Sequence, residues 1–443
     1  MAKKEKRVPM AEPVLAAPPK SRGRRSAEIA VWSVIVFWLY TSYRGNIGEG
    51  IRYYLSPSFQ VPLIHTPDYS LGFLPRVLSG QLLTLFTGGS MTGPIAGAYL
   101  LILHVVTYGL LSLVLGMLIE KALSAKNYLM AMFPLLIIFT PLAVWMRVLS
   151  DRQLDTLMFL FALAAFFLIR NEKLMWLAPV CVCLGIMASE SFMLLFFPLV
   201  FAMLYYEFIK GGMKRTRLYN LIATTVSSFA LAVYMQWAVL HSELVSKYSY
   251  AESIAYLERK IGRAFTEVFG DLHVEMYVSS GIFGKVLDGR KFALMSINAW
   301  SQFDYFKPVF YIIALLICAP ILIFTLTIWR RRMKGEKGFW KKSPYILFML
   351  APLIIFPAFL VFGDIDRLVS AVLLTQVLLL AYAFFADGQN EAFMRLKEIS
   401  TGKYRWLLYA AVLLGVIVPL MVFRSPNWLT PPFNHAALVG MAE

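Results

Sequence analysis

Cysteine is scarce in this chain: Cys181, Cys183 and Cys318 are the three among 443 residues, and each lies inside an apolar run. Cys181 and Cys183 are two apart, which points their side chains to different faces of a helix. They read as packing residues, not as redox or metal ligands. Charge is thin as well, at 15% of residues, and acidic side chains, 26 against 42 basic, are the rarer sign. Ionisable residues are nearly missing from the middles of the apolar runs, His104 being the clearest exception. That counts against an ion-coupled transporter, which places such groups near the bilayer midplane. No Walker loop, zincin helix or serine-nucleophile elbow occurs, and no internal repeat of convincing period.

What the chain has in excess is hydrocarbon. Hydrophobic residues make up 59% and mean hydropathy is +0.66, above the roughly 45–50% apolar share of soluble domains. Apolar runs occupy 27–45, 94–119, 127–148, 154–169, 174–189, 191–209, 219–241, 308–329, 344–362, 367–386 and 405–423. The expectation is an all-α, polytopic membrane helix bundle of about eleven spans, each near 20 residues. Residues 174–209 form either two spans or one re-entrant hairpin. No large soluble domain fits in what is left.

Formal charge is +16, which in a soluble protein would suggest nucleic acid. Here the basic residues flank apolar runs, where they orient helices and meet anionic lipid, so no nucleic-acid partner is expected. Eight Lys and Arg fall in the first 26 residues, and 27 of the 42 lie in that tail and in alternate connections, dense at Lys210 to Arg217 and Arg330 to Lys342. The positive-inside bias places the N-terminus in the cytoplasm and the C-terminus outside, in a plasma (inner) membrane. Residues 1–26 read as a disordered basic tail before a retained first span, not a signal peptide. The organisation is then an N-terminal transmembrane module, 27–241, with a first outer loop at 46–93; a large outer loop, 242–307; a C-terminal transmembrane module, 308–424; and an outer tail, 425–443.

Both long loops carry helical periodicity. Pro75 suits a first helical turn, and Leu74, Leu78, Leu82 and Leu85 follow at helical spacing, predicting a helix whose apolar face rests in lipid. In the second loop Ile254, Leu257, Ile261, Phe265 and Val268 recur with Glu258, Arg259, Lys260 and Arg263 between them, predicting an amphipathic helix.

Four constellations on the outer side could carry chemistry. Asp68, with His65 and Arg76, could act as a base on an acceptor hydroxyl or hold a divalent cation; the plain alternative is a solvated loop Asp capping the next segment. Asp151 and Asp155 are four apart, so they share one face of a helix end and, with Arg152, could organise a site; acidic residues also simply stabilise a helix N-terminus. Asp364, Asp366 and Arg367 offer a guanidinium that can grip a phosphate, or only a surface pair. Glu190 sits alone in a tight connection, at an interface or a polar cavity. If a metal binds, Mg or Mn held by Asp68, Asp151 and Asp155 is the candidate. His104, Gln236 and Gln376 read as hydrogen-bonded packing residues. His273 and Glu275 lack the further ligands of a zinc site. Trp32, Tyr43, Trp176, Trp329 and Trp428 read as an interfacial belt.

The layout resembles the GT-C class of membrane glycosyltransferases and the related bacterial polymerases and ligases of surface polysaccharides. The likeness rests on a cytoplasmic N-terminus, a first span, a long first outer loop with surface helices and many later spans, across about 27–240. More narrowly, Asp68 followed by Gly72-Phe73 and Arg76, with a later Asp-Arg-x-x-Asp and Asp-x-x-Arg, looks like a group of bacterial multi-pass proteins. The resemblance implies a sugar donor on a polyprenyl phosphate, a glycan or lipid acceptor, Asp68 as the loop carboxylate with Glu49 as alternative, and Asp151 and Asp155 as the second-loop acidic pair. It implies Arg76, Arg152 or Arg367 as the group neutralising the departing phosphate, with His65, Glu190, Asp364 and Asp366 supporting. The C-terminal soluble domain of the larger enzymes of that class is missing. A flippase of lipid-linked sugars and a non-catalytic assembly subunit are the rival readings.

Overall fold

The computed structural model describes residues 21–42, 47–59, 61, 65–74, 76–138, 155–264, 323–355, 365–387, 391–402 and 406. Among them the chain is all-helical. In order, the helices that matter are α1 (Arg22–Ser42), α2 (Ile47–Tyr54), α3 (Val77–Thr87), α4 (Gly93–Ser124), α5 (Tyr128–Ile138), α6 (Asp155–Arg170), α7 (Ala178–Ala188), α8 (Phe192–Leu195), α9 (Phe197–Lys210), α10 (Arg215–Leu240), α11 (Ser242–Val245), α12 (Tyr250–Ile261), α13 (323–335), α14 (Phe339–Leu350), α15 (Ile365–Asp387) and α16 (Glu391–Thr401).

Helix α4 is the hub. Its 32 residues give about 48 Å of length at ~1.5 Å per residue, and α1, α2, α3, α5, α6 and α15 all pack on it. Two glycines let neighbours come close. A Cβ on Gly97 would lie 1.6 Å from the Tyr54 carbonyl oxygen, and one on Gly116 would lie 2.8 Å from the Ser33 backbone nitrogen. Helix α1 begins at Arg22, earlier than the expected span start at 27. Positive charge in a first turn opposes the helix dipole; Arg25 is offset by Glu120 of α4 at 3.0 Å, and Arg24 by Glu28 one turn on.

Among the described residues two helices, α4 and α10, are long and apolar enough to cross a membrane, or three if α15 and α16, bent by 107°, form one span. Several of the other expected runs are interrupted or short where the structure describes them, and most of 308–329 and 405–423 lies outside the described residues. Pro134 sits within α5, α6 has 16 residues, and α14 tightens into a 3-10 turn at Ala351–Ile355. Residues 174–209 break at Ser189 to Ser191 and again at Phe196, leaving α7 with 11 residues and α9 with 14, each below the ~20 a full crossing needs.

The core between α9, α13, α14 and α15 is aromatic: Tyr206, Trp329, Tyr345, Phe348 and Tyr382 pack edge-to-face and stacked. Trp329 is fully buried there, with its Nε1–H donating to Gln376 Oε1 at 3.1 Å. It is a core residue and not an interfacial one, because α14 and α15 cover it. Trp176 is 61% exposed. Gln376 and His104 are buried and hydrogen-bonded as expected, whereas Gln236 is exposed on α10. Cys181 and Cys183 are free thiols in α7; Cys318, Tyr43, His273, Glu275 and Trp428 lie outside the described residues.

Candidate functional site

The segment 65–74 is a short strap between α3 and α12. Asp68 caps a 3-10 turn, Tyr69–Leu71, by accepting the Ser70 N–H at 2.9 Å. Gly72 then turns the chain at φ 129°, where any Cβ would meet the Val245 carbonyl oxygen at 2.5 Å. Lys247 N–H donates to Leu71 O at 2.9 Å, fastening the strap to the α11–α12 connection. On its other side Gly80 of α3 admits the strap, since a Cβ there would lie 1.9 Å from Pro67 O. His65 Nδ1 bonds Ser79 Oγ at 2.6 Å, and Tyr69 N–H donates to Gln81 Oε1 at 3.3 Å.

Helix α12 forms for reasons written in its sequence. Ser249 and Glu252 make a reciprocal capping box, and Gly262, left-handed at φ 75°, ends the helix. The expected periodicity to Val268 therefore stops at Ile261; Phe265 and Val268 lie outside the described residues. Leu257 and Ile261 are buried, and Tyr256 and Lys260, four apart, project together onto the strap. The α3 expectation also needs correcting. The helix starts at Val77, and Leu74 and Leu78 are buried in protein while Leu85 is 72% exposed. The strap and α4 take the face that the leucine spacing had assigned to lipid.

Asp68 is 1% exposed and heavily engaged. Lys260 Nζ donates to Oδ2 at 2.5 Å, and the Tyr256 hydroxyl lies 3.1 and 3.0 Å from its two oxygens. Thr84 Oγ1 is 3.1 Å from Oδ2 and 2.7 Å from Gly80 O; its one proton serves one acceptor at a time. Lys260 Nζ also donates to Thr66 O at 3.0 Å. Burial alone would raise the Asp68 pKa, but the Lys260 hydrogen bond and charge, with the Ser70 N–H and Tyr256 hydroxyl, outweigh it and hold the carboxyl below the usual range. Burial likewise pulls the Lys260 ammonium below its ordinary value despite Asp68, and pushes the Tyr69 phenol up to about 12. Chemically this is a charged carboxylate shielded from solvent beneath Tyr256 and Lys260 of α12. With an ammonium already on Oδ2 and donors on both oxygens, Asp68 as arranged does not fit a divalent cation. Among the described residues no group of three His, Cys, Asp or Glu converges.

A second pair lies at the start of α3. Arg76, in the left-handed region at φ 64°, directs Nη2 and Nε onto the two carboxylate oxygens of Glu190, the Nε contact being 3.2 Å. This is a fork-shaped ion pair, 18% and 22% exposed, across 114 residues of sequence. Asp155 opens α6 and is buried. Asp151, Arg152 and Asp364 lie outside the described residues, as do the side chains of Asp366 and Arg367 at the start of α15. The structure thus joins Arg76 to Glu190 and sets Asp68 and His65 on one strap with different partners. Sequence reasoning missed Tyr256, Lys260, Thr84 and Ser79 as site residues; the Tyr256–Lys260 spacing beside a capping box was the signal available.

The charged side chains elsewhere form another group. Arg217 bonds Glu207 and Glu172, Tyr382 OH donates to Glu207 at 2.6 Å, Lys210 pairs with Glu336, and Arg332 with Asp387 at 2.7 Å. Lys121 donates to Phe385 O, and Arg170 lies over the Phe385 ring. Compared with known protein families, curated proteins and solved structures, the chain matches none of them.

Proposed function

We propose that this chain is a multi-pass membrane glycosyltransferase of GT-C type that moves a sugar from a polyprenyl-phosphate carrier to a glycan or lipid acceptor at the outer face of the plasma membrane. The observation that carries the reading is the Asp68–Lys260–Tyr256 constellation: a carboxylate kept ionised, next to an ammonium and a phenol, roofed by a separate helix. When α12 lifts it takes Lys260 and Tyr256 off the carboxylate. Asp68 can then take the acceptor hydroxyl's proton as that oxygen bonds the sugar and the sugar–phosphate bond breaks, the polyprenyl phosphate leaving with the bonding pair and Lys260 free to meet its charge. Arg76, already fork-bonded to a carboxylate, has the geometry to hold a phosphate instead. Arg152, Arg367, Asp151 and Asp155 are further candidates for the same pocket. The orientation follows the positive-inside rule, with the Asp68 and Arg76–Glu190 groups outside and the Glu207 network in the cytoplasm.

One observation favours a second reading. Asp68 has a full set of donors, as a purely structural ion pair would, and a non-catalytic assembly subunit needs nothing more. The test is Asp68→Asn, scored by a surface glycan or glycolipid per folded protein. The expected outcome is loss of product. If the single variant folds poorly, Asp68→Asn with Lys260→Met removes both charges and restores a neutral interior. Wild-type product from either folded variant would remove the catalytic assignment in favour of the structural one.

A further inference from the structure

Beside the hub lies an apolar cavity of about 440 Å³ between α1, α4 and α5. Its walls include Trp32, Val36 and Leu39 of α1, Leu123 of α4, and Tyr128 and Ala131 of α5. The volume falls within the roughly 300–1,000 Å³ of sites that hold small ligands. A cavity this apolar has no use for water and none for a polar solute.

Its two ends differ. The Arg25–Glu120 bond, 3.0 Å, fixes the first turn of α1 against the last turn of α4. Exposed Arg22 and Lys126 stand at that end, Lys126 between Leu123 and Tyr128 of the lining, while Arg24 is held by Glu28 at 3.2 Å. From Trp32 to Leu39 the groove runs about 10 Å along α1 at ~1.5 Å per residue, against the roughly 15 Å depth of one leaflet's hydrocarbon. An aromatic pair, Trp32 and Tyr128, marks the boundary between basic mouth and apolar interior, where such rings are favoured.

We infer that this groove is a binding site for an anionic phospholipid: one acyl chain lies between α1, α4 and α5, and the headgroup phosphate rests on Arg22 and Lys126. Charge selects the occupant. Two exposed cations beside a groove with no acidic lining residue suit a net-negative headgroup and give a zwitterionic one no advantage. The site requires these helices to lie in a bilayer and stands apart from the glycosyltransferase reading.

The test uses full-length protein in detergent, titrated with phosphatidylglycerol and with phosphatidylcholine and read by native mass spectrometry. One phosphatidylglycerol should be retained in preference to phosphatidylcholine. Ala131→Phe, which fills the groove, should abolish retention of both, with Ala131→Leu as the milder variant should the first not fold. Arg22→Gln and Lys126→Gln should each lower the preference by about fivefold while leaving phosphatidylcholine binding unchanged. Equal retention of the two lipids by the wild type, no retained lipid at all, or a filled-groove variant that binds phosphatidylglycerol normally would each overturn the site.

Discussion

Asp68 and Lys260 show what one buried contact asks of a chain. Each side chain is almost wholly out of water, 1% and 7% exposed, and each is tolerable there only because of the other. Removing one charge by Asp68→Asn should cost about 3–5 kcal/mol, most of which Lys260→Met restores in the double variant; thermal unfolding in detergent checks both. Because the Asp68 pKa is depressed, the unfolded chain takes up this proton first on acidification. Its stabilisation is complete above the ordinary carboxyl value of about 4 and is lost as pH falls through the lower folded value. Amide exchange across 250–261 should therefore be flat from neutral pH down to about 4 and rise below it. At this scale the sequence was half legible. Asp68, Arg76 and Glu190 stood out as charges where few are expected, but a bond across 114 or 192 residues leaves no local mark. Lys260 was hidden among the polar residues of an amphipathic pattern.

At the scale of elements, uninterrupted hydrophobicity located α4 and α10, and the spacing of Ile254, Leu257 and Ile261 located α12, whose capping box and terminal glycine fix its ends. What hydropathy could not weigh was tertiary cover. Trp329 is buried by α14, and Leu74 and Leu78 are buried within protein, so the faces that periodicity assigns to an interface or to lipid are partly taken by neighbouring helices. The glycines of α4 separate two roles. Gly97→Ala puts a methyl into the Tyr54 carbonyl and should destabilise by about 1–3 kcal/mol. Gly109, with nothing within 4 Å of a built Cβ, is the control: Gly109→Ala should be neutral or stabilise by up to about 1 kcal/mol. Melting temperatures in detergent distinguish the two.

Across the whole molecule, charge pairs link residues far apart in the chain, and they do so in two groups. Arg76 meets Glu190 and Asp68 meets Lys260, while Arg25, Glu120, Glu207, Arg217, Arg332 and Asp387 bond within the other group. Under the proposed orientation the first group lies outside and the second in the cytoplasm. Exposed Ser70 and Ser124 belong to the two different groups. In intact cells Ser70→Cys should react with an impermeant maleimide and Ser124→Cys should not; equal labelling would reverse or dissolve the proposed orientation.

The strap also sets an order of events during synthesis. Its partner Lys260 is made 192 residues after Asp68, when α1 to α10 have already been synthesised. Until then the carboxylate has no cation, and Leu71 O and the Gly72 turn lack the backbone that receives them. Contacts of such long sequence separation form late. A nascent chain arrested before residue 250 should therefore be cut by protease in 65–74, and one arrested well beyond 264 should resist, so the Asp68 pocket is completed only in the second half of translation.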